Sequence, residues 1–356
     1  MNKYFVILFL ALLLNRVVAQ SDTIKINSGE KSAEAFFNEG VSLMQTKNYK
    51  DAINAFNSSI NLKEKFDKPY FDRGLCYYEL GQYEQAILDF NNVIALNKDT
   101  QYVEKNKFIA LAYFSRAEVY FIQTKKEQAY ADYEKTVELN PSLADAFYKL
   151  GVIDFQAGNF EKAIERYTKA IAAKTDFAYA FNDLASSQFE IGKIEEAIEN
   201  YKKALSLDPK LTFTYNSLGS AYRKAKKYDL AIESYNKAIE LKPDYYIAYN
   251  NRGTAKLEKN DLDGAMKDFN KTIEIKKEYA FAYNNRSSIH YKKKNYKEAI
   301  ADCDKAIFMN DKYGEAYLNR GISKEMLKDF KGACEDFHKA NGLGITRAKQ
   351  YFDVCE

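Results

Sequence analysis

The chain is poor in residues that break helices and in residues that hold metals. Its 356 residues include no Trp, four Pro, 15 Gly, four Cys and two His. So few Pro and Gly argue against an all-β chain with many tight turns. Two His and four Cys are too few for an extensive metal or thiol chemistry. A hydrophobic content of 46% excludes a disordered chain.

The charges of the chain nearly balance. It contains 53 Lys and Arg against 50 Asp and Glu, a formal net charge of +3. DNA- and RNA-binding proteins present a basic surface to the phosphates, and this sequence has no such excess of positive charge. We therefore expect no nucleic-acid partner.

The segment 1–19 has the layout of a secretory signal peptide. Lys3 is followed by an unbroken apolar run at 5–14, and Val17, Val18 and Ala19 favour cleavage after Ala19. The alternative is a membrane anchor, but a helix of this length rises about 15 Å and a bilayer core needs about 30 Å. We therefore expect a signal peptide at 1–19 and a polar lead-in at 20–32. The protein would be exported, periplasmic or extracellular if bacterial, with no membrane span after signal removal.

One pattern recurs through the rest of the chain. Nine alanines, most of them in the context A-I-x-x-[FY], recur at a constant period of about 34 residues with one longer interval: Ala52, Ala86, Ala129, Ala163, Ala197, Ala231, Ala265, Ala299 and Ala333. A small residue stands twelve positions before each alanine, and an aromatic residue sixteen before. The longer interval, from Ala86 to Ala129, indicates an insertion at 101–109. Each unit divides into two amphipathic halves, and one helical hairpin cannot bury its apolar face alone, so the hairpins must stack.

This pattern resembles the tetratricopeptide repeat (TPR) from about residue 33 to the C-terminus. The resemblance implies an all-α, right-handed TPR solenoid of about nine helix-turn-helix repeats with a C-terminal capping helix. TPR 1–2 would occupy residues 33–100, TPR 3–9 residues 110–344, and the capping helix residues 345–356. We call the two helices of each repeat the A helix and the B helix, and number the positions of a repeat from one, so that Ala178 is position one of repeat 5.

Arg and Asp occur together in five repeats, where Arg precedes the small residue of the A helix and Asp follows sixteen positions later. The pairs are Arg73 and Asp89, Arg116 and Asp132, Arg252 and Asp268, Arg286 and Asp302, and Arg320 and Asp336. Repeats without this Arg lack the Asp as well. A bidentate ion pair between the A and B helices explains the correlation. Its main value would be hairpin geometry, because ion pairs of this kind need not add much stability.

The sequence contains no recognisable catalytic motif. It lacks the phosphate-binding G-x-x-x-x-G-K-[ST], G-x-S-x-G and H-E-x-x-H patterns, and packing explains both His290 and His338. We therefore expect no enzyme activity, no catalytic residues and no cofactor.

Cys334 and His338 are four positions apart on one helix, and with Cys355 they could supply three metal ligands. The alternative is a Cys334–Cys355 disulfide. An antiparallel capping helix would bring Cys355 level with Cys334, and an oxidising compartment would let the bond form and persist. We favour the disulfide and expect no metal. Cys76 and Cys303 are predicted to be buried.

In the TPR family, positions two, five, six and nine of the A helix face the concave groove. Position two of repeats 5–8 holds Tyr179, Phe213, Ile247 and Phe281, and position six of repeats 7–9 holds Asn251, Asn285 and Asn319. An amide side chain both donates and accepts, so the Asn row matches a peptide backbone. It is similar to the asparagine ladder of the O-linked N-acetylglucosamine transferase superhelix. The Lys and Arg of the chaperone-binding dicarboxylate clamp are not found at the corresponding positions of repeats 8 and 9.

The resulting prediction is a non-catalytic protein-protein interaction scaffold that binds extended peptide segments in the concave groove of a TPR superhelix. Two alternatives remain open: a structural assembly component that self-associates or uses its outer surface, and a glycan-binding module that uses exposed Tyr and Phe. The sequence does not identify the partner.

Overall fold

The computed structural model describes residues 32–98 and 103–355, and all regular structure within these ranges is helical. The predicted signal peptide and all but the last residue of the lead-in lie outside them. The α-helices are α1 (Ala33–Gln45), α2 (Tyr49–Leu62), α3 (Asp67–Glu79), α4 (Tyr83–Leu96), α5 (Val103–Ile122), α6 (Lys126–Leu139), α7 (Ala144–Gln156), α8 (Phe160–Ala173), α9 (Ala178–Glu190), α10 (Ile194–Leu207), α11 (Thr212–Lys224), α12 (Tyr228–Leu241), α13 (Tyr246–Glu258), α14 (Leu262–Ile275), α15 (Ala280–Lys292), α16 (Tyr296–Met309), α17 (Gly314–Met326) and α18 (Phe330–Gly342). A 3-10 helix, Thr346–Cys355, follows them.

Consecutive helices pair into hairpins, which confirms the predicted all-α TPR fold. All nine repeat-defining alanines have zero exposure. The small residue of the A helix faces the aromatic residue of the B helix. At Gly219, for example, an added Cβ would lie 2.6 Å from the ring of Tyr235. The sequence pattern therefore records the contact between the two helices of a hairpin.

Each hairpin turns at position 15, where the residue has a φ between 60° and 83°. These residues are Lys47, Gly81, Thr124, Gly158, Gly192, Lys226, Asn260, Lys294 and Lys328. The left-handed conformation lets the next amide reach back into the last turn of the A helix, as when Lys227 N donates to Tyr222 O over 2.8 Å. Only three of the nine are glycine, so the turn is set by this hydrogen bonding as well as by glycine.

The chain divides into two compact units, Met1–Thr175 (unit 1) and Asp176–Glu356 (unit 2). Within the described residues, unit 1 contains repeats 1–4, and unit 2 contains repeats 5–9 and the 3-10 helix. In unit 1 the insertion lengthens α5 to 20 residues, whereas the other A helices have 13. The added turns pack on the preceding repeat, because the rings of Phe108 and Phe71 are 5.2 Å apart.

The capping segment of unit 2 is a 3-10 helix. Its apolar residues Ile345, Ala348 and Tyr351 are three apart, which matches the three residues per turn of this helix type. Ala348 is fully buried, and the ring of Tyr351 stacks on Phe337 at 4.9 Å. The cap therefore covers the last hairpin with one narrow apolar edge.

Within residues 32–98 and 103–355, no helix is both long and apolar enough to cross a bilayer.

Candidate functional site

Arginine side chains join the helices at five places, where the structure brings together each of the predicted Arg and Asp residues. In every pair Nε and Nη2 of Arg donate to the two carboxylate oxygens of Asp over 2.6–2.9 Å. The Asp side chains are nearly buried, with exposed fractions of 3–8%. These pairs join the A helix to the B helix of the same repeat.

The same five arginines also contact the preceding repeat, which we did not predict. Nη1 of each Arg donates to a side-chain oxygen at position 25 of the preceding B helix. The acceptors, in the order of the pairs above, are Asn57, Asn91, Asn236, Asn270 and Asp304. The sequence carries the signal, because Glu134, Thr168 and Lys202 occupy this position before the three repeats that have Leu instead of Arg. Each Arg therefore connects three helices and two repeats.

In unit 2 the predicted asparagine row also links neighbouring repeats. Nδ2 of Asn251 donates to Oδ1 of Asn216 over 3.0 Å, at position five of the preceding repeat. The same bond joins the next two repeats: Asn285 donates to Asn250 over 3.1 Å, and Asn319 donates to Asn284 over 2.9 Å. One N–H of each predicted groove Asn is therefore already used within the protein, which leaves at most one N–H and the oxygen lone pairs for a ligand.

The predicted apolar row lies partly open to solvent. Phe213 is 37% exposed and Phe281 is 48% exposed, while Tyr179 and Ile247 are half-buried. The rings of Tyr179 and Phe213 stack at 6.1 Å with an angle of 17°, so position two of one repeat contacts position two of the next. Tyr179 also packs against a core cluster of unit 2, so part of its ring belongs to the core and is not open to a ligand.

Three tyrosines that we did not predict extend this row. Tyr246 and Tyr279 meet at 5.0 Å, Tyr279 and Phe281 at 5.4 Å, and Phe281 and Tyr313 at 5.0 Å. Tyr279 and Tyr313 occupy the same position of successive repeats, a recurrence that would have found them. Burial raises the pKa of Tyr313 to about 12, against the effect of the Asn284 amide that donates to its hydroxyl over 3.2 Å. Its hydroxyl therefore stays protonated at neutral pH.

The two C-terminal cysteines lie together under the cap. Cys334 and Cys355 form a disulfide with their Cα atoms 5.2 Å apart. The ligand atoms of these cysteines and of His338 lie within 4.8 Å of one another, but the disulfide uses both sulfurs. The ring of His338 packs 4.4 Å from Phe352, and Nε2 of His290 lies 3.7 Å from Oδ2 of Asp302.

Cys76 and Cys303 are buried free thiols. Burial raises the pKa of the Cys303 thiol to about 12 and raises that of Cys76 further. Neither thiol is therefore activated as a nucleophile.

Comparison with known families identifies the repeats. Models of the tetratricopeptide repeat match residues 33–66, 68–99, 114–176, 213–245, 246–279 and 282–313, and a TPR repeat model matches residues 185–224. The matches together include well over half of the chain. The chain belongs to the tetratricopeptide repeat family.

Solved structures resemble the chain in fold. A tetratricopeptide repeat protein from Parabacteroides merdae is 19% identical, covers 69% of this chain and 98% of its own, and has a TM-score of 0.58. PilF of Pseudomonas aeruginosa is 22% identical, covers 60% and 97%, and has a TM-score of 0.52. A chain of the APC/C hetero-tetramer Cut9–Hcn1 is 14% identical, covers 92% and 84%, and has a TM-score of 0.55. At these identities the likeness concerns the fold alone. No curated protein matches the sequence significantly.

Proposed function

We propose that the protein is a non-catalytic interaction scaffold that binds an extended peptide segment of another protein along the A helices of unit 2. The observation that carries this proposal is the row of large apolar side chains at position two, with Phe213 and Phe281 open to solvent, next to asparagines at positions five and six. Large apolar side chains that recur on one face outside the core are typical of a binding surface. The TPR fold supports the general class, an interaction scaffold.

The two rows would contribute differently to binding. The aromatic row would receive apolar side chains of the peptide, and burying one such side chain contributes about 1.5–3 kcal/mol. The asparagines would hold peptide backbone groups through their remaining N–H and oxygen, at about 0.5–1.5 kcal/mol for each hydrogen bond. Because the Asn–Asn bonds already order these amides, their side-chain entropy is largely lost before the ligand arrives. The rings should nevertheless dominate the affinity, because each apolar contact contributes more than each hydrogen bond.

We also propose that the protein is exported, on the basis of the N-terminal sequence. Lys3, the apolar residues 5–14 and the small residues that end at Ala19 support this localisation. The partner would then be a protein outside the cytoplasm.

The groove is tested with a peptide selected from a phage-displayed library against residues 20–356. We expect Phe213→Ala combined with Phe281→Ala to weaken binding of that peptide about 100-fold or more, because two apolar contacts are lost. Asn285→Ala should weaken it no more than about tenfold. Isothermal titration calorimetry measures both effects.

Phe308→Ala provides the matched control. Phe308 is 91% exposed, lies on the B helix α16, and should leave the affinity unchanged. Circular dichroism melts would show whether the double variant stays folded. Full-strength binding by a folded Phe213→Ala, Phe281→Ala variant would contradict the groove and favour the outer-surface assembly. Selection of no peptide, with binding on a glycan array that the same variant loses, would favour the glycan-binding alternative.

A further inference from the structure

Position six of an A helix makes polar contacts with positions five and nine of the preceding repeat. It can also accept from position five of its own repeat, as when Nδ2 of Asn182 donates to Oδ1 of Asp183 over 2.8 Å. In unit 2, Asn285 donates to Asn250 at position five and lies 3.5 Å from Thr254 at position nine. In unit 1, Nζ of Lys149 at position six donates to Glu118 at position nine over 2.9 Å. These contacts occur in both units, and together they show which neighbouring positions can supply a polar partner to position six.

Asp72 occupies position six of repeat 2, and this register gives it no polar neighbour. Positions five and nine of repeat 1 are Phe37 and Val41, which are exposed by only 1% and 3%, and position five of its own repeat is the buried Phe71. Asp72 itself is 5% exposed, and its carboxylate makes no hydrogen bond or ion pair with the described part of the chain. Lys68, one helical turn earlier, is the one charged group that acts on it, and it lies beyond ion-pair distance.

Other buried carboxylates of unit 1 have partners. Asp89 and Asp132 each accept two hydrogen bonds from an Arg. Glu118 accepts from Lys149 and from the hydroxyl of Tyr133. A buried charge without a partner is unfavourable, and burial accordingly raises the pKa of Asp72 to about 7. Asp72 is thus an unpaired acceptor on the face where the family places its groove.

We propose that Asp72 is the counter-ion of a subsite for a cationic side chain, on a peptide bound along the A helices of unit 1. The peptide ligand rests on the proposed function, and the cationic group is new. A ligand ammonium would supply the hydrogen bonds and the opposite charge that the protein does not provide. Because Phe37 and Val41 exclude water from one side, this pairing would be stronger than an exposed salt bridge.

Two pools of nine-residue peptides test the subsite. Both are N-acetylated and C-amidated, carry neutral residues at the flanking positions, and differ only at the centre, which is Lys or Nε-acetyllysine. We expect residues 20–356 to bind the Lys pool about tenfold or more tightly than the acetyllysine pool, as measured by fluorescence anisotropy. The nearly isosteric Asp72→Asn variant should lose this preference.

Glu64→Gln is the matched control, because it removes the same charge from an exposed position just before α3. It should keep the preference for Lys. A preference that survives in folded Asp72→Asn, or that wild type never shows while binding both pools, overturns the subsite and leaves peptide binding intact.

A second measurement decides the case in which neither pool binds, which would count against the peptide function itself. The side-chain carboxyl of Asp72 is titrated by carbon NMR in n-butylammonium chloride and in sodium chloride of equal ionic strength. A lower pKa in butylammonium than in sodium supports the cation subsite without any peptide. Equal pKa values in the two salts overturn it.

Discussion

Buried carboxylates in this protein differ mainly in whether a cation stands beside them. Burial raises the pKa of Asp89 and of Asp132, but in each case the adjacent Arg opposes the effect through hydrogen bonds and charge. Asp72 has only the distant Lys68 to oppose burial, and its pKa rises to about 7. The raised pKa of Asp72 therefore makes the stability of unit 1 depend on pH between about pH 4 and pH 7.

We expect Asp72→Asn to stabilise unit 1 above about pH 7. A carboxyl with a folded pKa of about 7 and an unfolded pKa near 3.9 holds a proton in the folded state that the unfolded state has released. Stability is therefore lost as the pH rises from about 4 to about 7, by up to about 4 kcal/mol for the full shift. Neutral Asn removes this loss.

Native-state hydrogen exchange of unit 1 amides at about pH 5 and pH 8 would measure the effect. The stability difference between variant and wild type should be larger at pH 8. Glu64→Gln should show no such pH dependence. The same difference at both pH values would mean that Asp72 titrates normally.

Pairs of helices are held by arginines that reach across three elements. Arg73 pairs with Asp89 in its own repeat and also donates to Asn57 of the preceding B helix. Its guanidinium lies 5.4 Å from the ring centroid of Tyr70. In repeat 6 the positions of Arg73 and Asp89 are occupied by the uncharged Leu218 and Ser234. The chain thus contains two alternative sets of residues for one helix contact.

This alternation predicts the outcome of a double-mutant cycle. Arg73→Leu alone should destabilise unit 1 by about 3–5 kcal/mol, because Asp89 would be left buried and unpaired. Arg73→Leu with Asp89→Ser copies repeat 6 and should recover most of that loss, since apolar replacement of a whole buried pair is often nearly neutral. Hydrogen exchange of the α3 and α4 amides, monitored as the temperature is raised, would measure the stability of both variants. A double variant as unstable as the single one would show that Arg73 acts mainly through Asn57.

At the scale of the whole molecule, each unit is built by contacts between sequence neighbours. Within each unit the helices pack almost entirely on the preceding and following helices, so stability is a sum of repeat and interface terms. In unit 2 the 3-10 helix with the Cys334–Cys355 disulfide covers the last described hairpin. A disulfide at this position is consistent with the proposed export into an oxidising compartment.

Mass spectrometry of the protein recovered from outside the cytoplasm tests export and the Cys334–Cys355 disulfide together. We expect an N-terminus near Gln20 and, in peptides prepared without reductant, Cys334 linked to Cys355 with Cys76 and Cys303 as free thiols. Cytosolic protein that still begins at Met1 would contradict export. Four free thiols in exported protein would contradict the disulfide under native conditions.

The constant period of the sequence pattern by itself determined the helical hairpins and their number. It did so because each repeat buries an alanine of the B helix, and in eight of the nine repeats a ring four positions later, as with Ala231 and Tyr235, which both have zero exposure. The co-occurrence of Arg and Asp likewise predicted a contact, since burying a carboxylate without a partner is unfavourable and a paired Arg offsets that cost. These signals are repeated along the chain, and repetition makes them readable from one sequence.

Only the tertiary structure decided which groups remain free for a partner. The Asn251–Asn216 bond and the isolation of Asp72 depend on what stands at positions five and nine of the neighbouring repeat, which is distant in sequence. The extended α5 and the 3-10 cap likewise depend on packing against Phe71 and Phe337. Each segment occurs once, so the sequence offers no second copy from which its structure could be predicted. A polar side chain reads the same in sequence whether its partner is a neighbouring helix or a ligand, and only the distances between atoms distinguish the two.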